Sequence, residues 1–356
     1  RLALMALLLT LIANIGVTSL VGSFRVALTD WLETRLSADY YVSAEALSLT
    51  DLIDQSWISA AHQRKVAEVR FNGREAEVIG IDATAPDFQQ SSVIDAEPAA
   101  FARWINSATT GAPIFANEQV RYLAGVNLGD SIILTTTLGP RTFRVTGFFH
   151  DYGNTKYAFH LPTERFDILY PRAEVQGWGI WVTDENIHKA ELGLNKLGVE
   201  PSELISQNDV LTLSMSIFER TFAITRALNA LTLIVAAVAI FASLLSLYQL
   251  RRPEYALWRA MGMRWIEFFC VAGSPVILMT AVVMAVALPM GVALSWLLIN
   301  KINVISFGWT MPVVLKASSI AFLFSVVLCL VFAAFLLASL GQRTAVNSAL
   351  KHLGGE

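Results

Sequence analysis

Cysteine is nearly absent from this chain of 356 residues: Cys270 and Cys329 are the only two, and both lie within apolar runs. The polar stretch between residues 25 and 208 has none, so no disulfide staples it, and cysteine usage gives no sign of compartment. Charge is scarce as well. Asp, Glu, Lys and Arg make up 15% of the residues against 54% hydrophobic, and a net charge of -3 favours neither nucleic acid nor a polyanionic partner. No Gly-Lys dipeptide occurs, so the phosphate-cradling loop of ATP-binding proteins is missing. Gly-x-Ser-x-Gly and His-Glu-x-x-His are missing too. The chain therefore reads as one without catalytic residues, without a metal and without a cofactor of its own.

What the chain has in excess is long apolar runs. Four of them, at 1–24, 227–250, 266–299 and 312–341, reach the ~20 residues needed to cross a bilayer. The third contains Pro275 and Pro289, which point to bends or to extension beyond the bilayer. None has an ionisable residue at its centre, which excludes the proton relays and ion pathways of autonomous pumps. Asn14 and Asn229 are the main strongly polar side chains in or near the first two spans and read as bonded to neighbouring helices. The pairs Ala239/Ser243, Ala242/Ser246 and Gly291/Ser295 suit close helix packing. Arg251, Arg252, Arg259 and Arg264 cluster in the 251–265 loop, which places that loop in the cytoplasm. The 300–311 loop, with Lys301 and nearby Lys316, then lies outside, the 342–356 tail lies inside, and the 25–208 domain lies outside.

That outer domain reads as mixed α/β. Lys65–Phe71 and Glu75–Ile81 flank Asn72-Gly73, a strong hairpin signal. A second hairpin is expected from Ser131–Thr137 and Arg141–Phe149, a strand at Trp178–Val182, and helices at Pro98–Asn106 and Glu185–Leu197. His150, Asp151 and His160 lie close in sequence. Two histidines ten residues apart are a weak metal signal, and hydrogen-bonded loop histidines are the simpler reading. Over 209–226, Leu211, Met215, Phe218 and Phe222 recur at steps of four, three and four, which places them on one helical face. With no Gly or Pro before span two, this is either an amphipathic stalk continuing that span or a helix packed on its own domain.

The 251–265 loop has its own logic. Pro253 suits the first turn of a helix, Glu254 lies near the positive end of the helix dipole, and Gly262 suits the stop. A helix of about two turns follows, with Ala256, Leu257, Ala260 and Met261 on its apolar side. Such a helix can insert into a groove on a partner or lie among lipid headgroups, and composition by itself favours the second. The run Arg251-Arg252-Pro253-Glu254-Tyr255-Ala256-Leu257-Trp258-Arg259-Ala260-Met261-Gly262 resembles the Arg-Arg-x-Glu-x-Ala-x-x-Arg-Ala-x-Gly segment of FtsX/MacB-type ABC transporter permeases. Pro253 and Trp258 are its unusual members. The order of one span, a large outer domain and three spans resembles the same family. So does Asn117 to Asp151, with Leu128-Gly129-Asp130 and Phe143-x-Val145-x-Gly147-Phe148-Phe149, and so does Ala349-Leu350-Lys351 in the tail. Val21-Gly22-Ser23-Phe24-Arg25, Trp31-Leu32 and Asp39-Tyr40-Tyr41-Val42 resemble the second half of long, duplicated permeases.

The resemblance implies a four-helix membrane protein with a MacB-like periplasmic core domain, in a bacterial inner membrane. It implies that Arg251, Arg252, Glu254, Ala256, Leu257, Arg259, Ala260, Met261 and Gly262 form a coupling helix. That helix would dock on a cytoplasmic ATP-binding subunit, where ATP and Mg would be held. A second permease half or protomer, membrane lipids, and a periplasmic partner or lipoprotein complete the expected partners. Force would pass along the stalk to act on a lipid, lipoprotein or peptide outside. Two alternatives stand: an ATP-driven regulator of an extracytoplasmic enzyme, and a membrane sensor or scaffold with no ATPase.

Overall fold

The computed structural model describes residues 2–43, 47, 52, 55–82, 93–105, 112–183, 187–251, 253–254, 257–258 and 261–353. In chain order its elements are α1 (Leu2–Arg35), β1 (Tyr40–Ser43), β2 (Ile58–Phe71), β3 (Arg74–Ile81), β4 (Val93–Ala96), α2 (Ala100–Ile105), β5 (Ala112–Asn117), α3 (Glu118–Ala124), β6 (Ser131–Thr136), β7 (Gly139–Phe149), β8 (Tyr157–Pro162), α4 (Thr163–Leu169), β9 (Glu174–Val182), α5 (Ile187–Lys196), β10 (Leu204–Ser206), α6 (Gln207–Leu250), α7 (Trp265–Leu297), α8 (Val304–Phe307) and α9 (Ala317–Leu353). A π-helical stretch, Leu298–Asn303, joins α7 to α8. The chain divides into two compact units. One comprises Arg1–Ser23, Glu219–Ile299 and Val313–Glu356; the other comprises Phe24–Phe218 and Asn300–Pro312.

The first unit is helical, because apolar segments in lipid must satisfy their backbone groups internally. Among the described residues, four helical stretches are long and apolar enough to cross a membrane: Ala3–Arg35, Gln207–Leu250, Phe269–Phe307 and Ala317–Ser339. Their shared core includes Leu11 of α1, Ile240 and Leu244 of α6, Ala287 of α7 and Phe335 of α9. Small residues set the closest approach. A Cβ on Gly291 would lie 2.7 Å from Ile15, so α7 and α1 touch there, and Ser295 turns its hydroxyl back onto the Gly291 carbonyl at 2.8 Å. Asn14 is buried and donates to the Thr10 carbonyl at 3.0 Å and to the Thr232 hydroxyl at 3.3 Å. Pro275 and Pro289 both lie inside an α7 that continues through them. The fourth helix starts at Ala317, five residues after Pro312, where hydropathy begins the span. The run before it has no regular secondary structure, and Val314 donates its amide to the Ser23 hydroxyl at 2.8 Å.

The second unit is built on a ten-stranded sheet, in the order β10-β1-β9-β2-β3-β8-β5-β7-β4, with β6 paired to β7. Asn72 and Gly73 both have positive φ, 51° and 78°, which is what a tight two-residue hairpin needs to join β2 and β3. The second hairpin turns at Thr137 and Leu138, one residue earlier than its Gly-Pro suggests, and closes on the Thr136–Gly139 pair. β2 is 14 residues long and pairs first with β9, then with β3. Irregularities at Ile58/Ala60 and Arg64/Lys65 bend it, and the sheet accordingly has separate cores. One core gathers Val78, Ile114, Leu134, Phe143 and Phe159; another gathers Tyr40, Trp178, Ile180 and Leu194. β8 is buried along its whole length. Its odd residues face the first core, while Ala158 packs with Trp104, Phe115 and Phe149 on the other side.

Gly147 on β7 shows how tight that second face is. A Cβ there would lie 2.3 Å from the Phe115 ring and 3.3 Å from Ala96, and Phe115 is itself wedged against Trp104 at 5.8 Å. Overpacking of this kind costs about 1–3 kcal/mol. Gly147→Ala is therefore predicted to speed amide exchange of β5 and β7 about ten-fold or more through easier local opening, leaving α6 unchanged. Parental exchange rates in β5 would show that the packing argument is wrong.

Candidate functional site

The segment joining α6 to α7 is a short, firmly terminated helical turn. Arg251 continues α6 by one bond, its amide to the Leu247 carbonyl at 3.0 Å. Residues 253–254 and 257–258 are helical. The stop is at Gly262, whose φ of +93° only glycine adopts without strain. The Met263 amide reaches back to the Trp258 carbonyl at 3.2 Å, the six-to-one bond of a helix ended by a left-handed glycine. Arg264 then opens α7 and donates its amide to the Glu267 carboxylate at 2.9 Å.

This closure sorts the side chains. Trp258 and Met263, which the stop brings together, pack against the core of the helical unit. Leu257 and Met261, four residues apart and so on one face, stand outward at 61% and 70% exposure. Arg251, Glu254 and Arg264 are exposed around them. Of the expected coupling residues, Arg251, Glu254, Leu257, Met261 and Gly262 are thus placed, whereas Arg252, Ala256, Arg259 and Ala260 lie outside the described residues. Sequence reasoning noted Trp258 only as an unusual member of the segment and missed that it packs with Met263 against the helical core.

Leu211, Met215, Phe218 and Phe222 all belong to α6. Phe218 is buried, 5.7 Å from the Phe24 ring, and Met215 accepts a long contact of 3.7 Å from the Thr29 hydroxyl. Leu211 and Phe222 are half-buried. The periodicity did not reveal a second stripe on the other side of the helix, where Leu213, Ile217 and Ile224 are exposed.

The two histidines weighed as metal ligands go to different partners. His150 pairs through Nδ1 with Glu118 at 2.9 Å. His160 is buried with its ring stacked on Phe149, centroids 3.8 Å apart. Burial, helped by the nearby Arg35 and Arg64 charges, holds the His160 imidazole well below its usual titration range, so it is neutral. Among the described residues, no three His, Cys, Asp or Glu side chains gather as a metal site would require.

Residues 226–345, which contain this turn and the helices on either side, match the family described as FtsX-like permease C-terminal. Over 348 residues the chain is 28% identical to an uncharacterized ABC transporter permease protein of Mycobacterium tuberculosis (strain ATCC 25618 / H37Rv), covering 87% of this chain. The chain spans 38% of that relative's length. Among solved structures, the periplasmic region of MacB from Actinobacillus actinomycetemcomitans matches 50% of this chain and 91% of its own length, at 15% identity and a TM-score of 0.35. The extracellular domain of the noncanonic ABC-type transporter YknZ from Gram-positive bacteria matches 47% and 89%, at 12% identity and a TM-score of 0.32.

The neutral His160 gives the sheet domain a pH dependence. Below pH ~6.5 the unfolded chain binds a proton at this residue that the folded chain does not, so stability falls as pH falls, by up to about 1.4 kcal/mol per unit. His160→Phe is predicted to flatten the loss of stability between pH ~6.5 and ~5 relative to the parent, measured by denaturant unfolding. Parallel curves for the two proteins would mean that His160 titrates normally when folded.

Proposed function

We propose that this chain is the permease subunit of an ABC transporter and that the turn between α6 and α7 is the coupling helix that receives a cytoplasmic ATP-binding subunit. One observation carries the reading: within the FtsX-like region, Leu257 and Met261 stand outward on a turn whose other side is fixed by Trp258 and Met263. Two large apolar side chains ringed by Arg251, Glu254 and Arg264 make a small, charged-rimmed ridge suited to a partner's groove. The Gly262 stop and the Glu267 cap give that ridge a defined shape, so displacement of the ridge moves the helices rather than deforming the loop.

In this reading the Arg-rich loop is cytoplasmic and the sheet domain lies on the outer face of a bacterial inner membrane. ATP and Mg belong to the partner subunit. Its closure displaces the ridge, α6 carries the displacement, and the sheet domain works on a lipid, lipoprotein or peptide outside the membrane. A second permease half or protomer completes the assembly, and the exposed Leu213/Ile217/Ile224 stripe offers it an apolar contact.

Two predictions follow from the ridge and from α6. In nanodiscs, the double change Leu257→Asp/Met261→Asp should abolish co-purification of an ATP-binding subunit, whereas Leu213→Asp should retain it. Undiminished recovery with the double variant would locate docking elsewhere. Phe218→Pro, which breaks the helix where its ring meets Phe24, should leave the ATP-binding subunit attached and hydrolysing while work on the outer side stops. Full activity in that variant would remove α6 from the transmission path.

A further inference from the structure

The segment between α7 and α9 has two unlike sides. One is fastened to the sheet domain at α3. Glu118, only 1% exposed, accepts the Thr310 amide at 2.9 Å, the Thr310 hydroxyl, and a bond from His150 Nδ1 at 2.9 Å. Tyr152 donates its hydroxyl to the Thr310 carbonyl at 2.9 Å and holds the Trp309 ring edge-on at 5.6 Å. Gly308, at φ +76°, lets the backbone pass so close that a Cβ would lie 2.7 Å from Leu123. Asn303 and Trp309 exchange two hydrogen bonds, at 2.9 and 3.2 Å, which fold the segment on itself.

The other side exposes apolar residues: Ile302, Ile305 and Phe307 are 49%, 75% and 56% exposed within six residues, and Phe307 stacks one face of its ring on Trp309 at 5.5 Å. Lys301 precedes them and Lys316 follows, both exposed. The third stretch long and apolar enough to cross a membrane ends at Phe307 and the fourth begins at Ala317, so the segment belongs at the end of a span, near the bilayer surface. Apolar side chains flanked by cations, with Trp296 exposed at the end of α7, are the composition of a headgroup boundary: the chains enter the lipid and the lysines meet phosphates.

We infer that residues 298–312 form a lipid-resting foot of the sheet domain: Ile302, Ile305 and Phe307 lie in the leaflet, while Glu118 clasps the opposite side. The occupant of the exposed side is membrane lipid. A protein partner would find three apolar residues between two lysines with no polar rim of the other sign on this segment, whereas a phospholipid leaflet supplies both the apolar layer and the anionic phosphates.

The test uses the full chain in proteoliposomes, with Cys270→Ala and Cys329→Ala as background. A fluorophore is placed in turn at Ile305→Cys, Phe307→Cys and, as a water-exposed control on the β6–β7 turn, Leu138→Cys. Quenching at 305 and 307 by lipids carrying a shallow nitroxide, with little quenching by iodide, and the reverse at 138, is the expected result. Iodide quenching at 305 equal to that at 138 would overturn the foot. Shielding from both quenchers would also overturn it, in favour of a protein covering that side. For the clasp, amide exchange at Thr310 is expected to rise about ten-fold in Glu118→Gln and less in Thr310→Ser, which keeps a hydroxyl. Exchange in Glu118→Gln equal to the parent's would show that the carboxylate holds nothing.

Discussion

The hydrogen-bond ladder of α6 is what the rest of the molecule depends on. Its 44 residues contain neither glycine nor proline, so no position loses a backbone donor or gains the freedom to bend. At a helical rise of ~1.5 Å per residue it is about 66 Å long, more than twice the ~30 Å hydrocarbon layer. Both compact units draw residues from it: up to Phe218 it belongs with the sheet, and from Glu219 with the membrane helices. Its two ends have different chemistry. The first turns carry polar residues, and Asp209 accepts the Ser206 hydroxyl at 2.6 Å. The last turns carry Ile240, Leu244 and Tyr248 into the helical core.

How much of the fold could be read in advance follows from which physical signal each element leaves. The Asn72-Gly73 hairpin was legible because only a few residue types tolerate positive φ at two successive positions. β6 was legible because one of its faces is buried and the other is not, which writes an alternating pattern. β8 was not, since it is buried on both faces, and its His160 breaks the apolar run. The six-residue β5 is too short and too uniformly apolar to separate from a helix segment. α1 runs to Arg35, eleven residues past Phe24, because charges at Arg25 and Asp30 end a hydropathy window without ending a helix. The start of α9 at Ala317 is the converse: Pro312 to Leu315 is apolar enough to count as span but lies outside the helix.

At the candidate site the same distinction holds between ends and faces. Pro253 and Gly262 mark where a helix begins and stops, since both act through the backbone and their effect is local. Which side of the turn faces inward is decided by Trp258 meeting Met263 and the helical core, a tertiary contact that no spacing within twelve residues encodes. The clasp on the outer side was still less legible. Glu118 and Thr310 are 192 positions apart, and nothing about a glutamate near the start of a seven-residue helix announces a burial of 99%. The wrong clue was nearer at hand: His150 and His160 look like a pair in sequence and are separated by the alternation of a loop and a buried strand.

The distribution of polar groups limits where such a protein can do work. Within the four spans, several of the buried polar side chains are small and engaged. Asn14 is bonded to Thr10 and Thr232, Thr280 to Val276, and Ser295 to Gly291. No ionisable residue lies at a span centre to take up or release a charge. In the sheet domain the buried Glu118 holds Thr310. The apolar helices are held by packing, and Gly291 pressed on Ile15 shows that the packing leaves little slack.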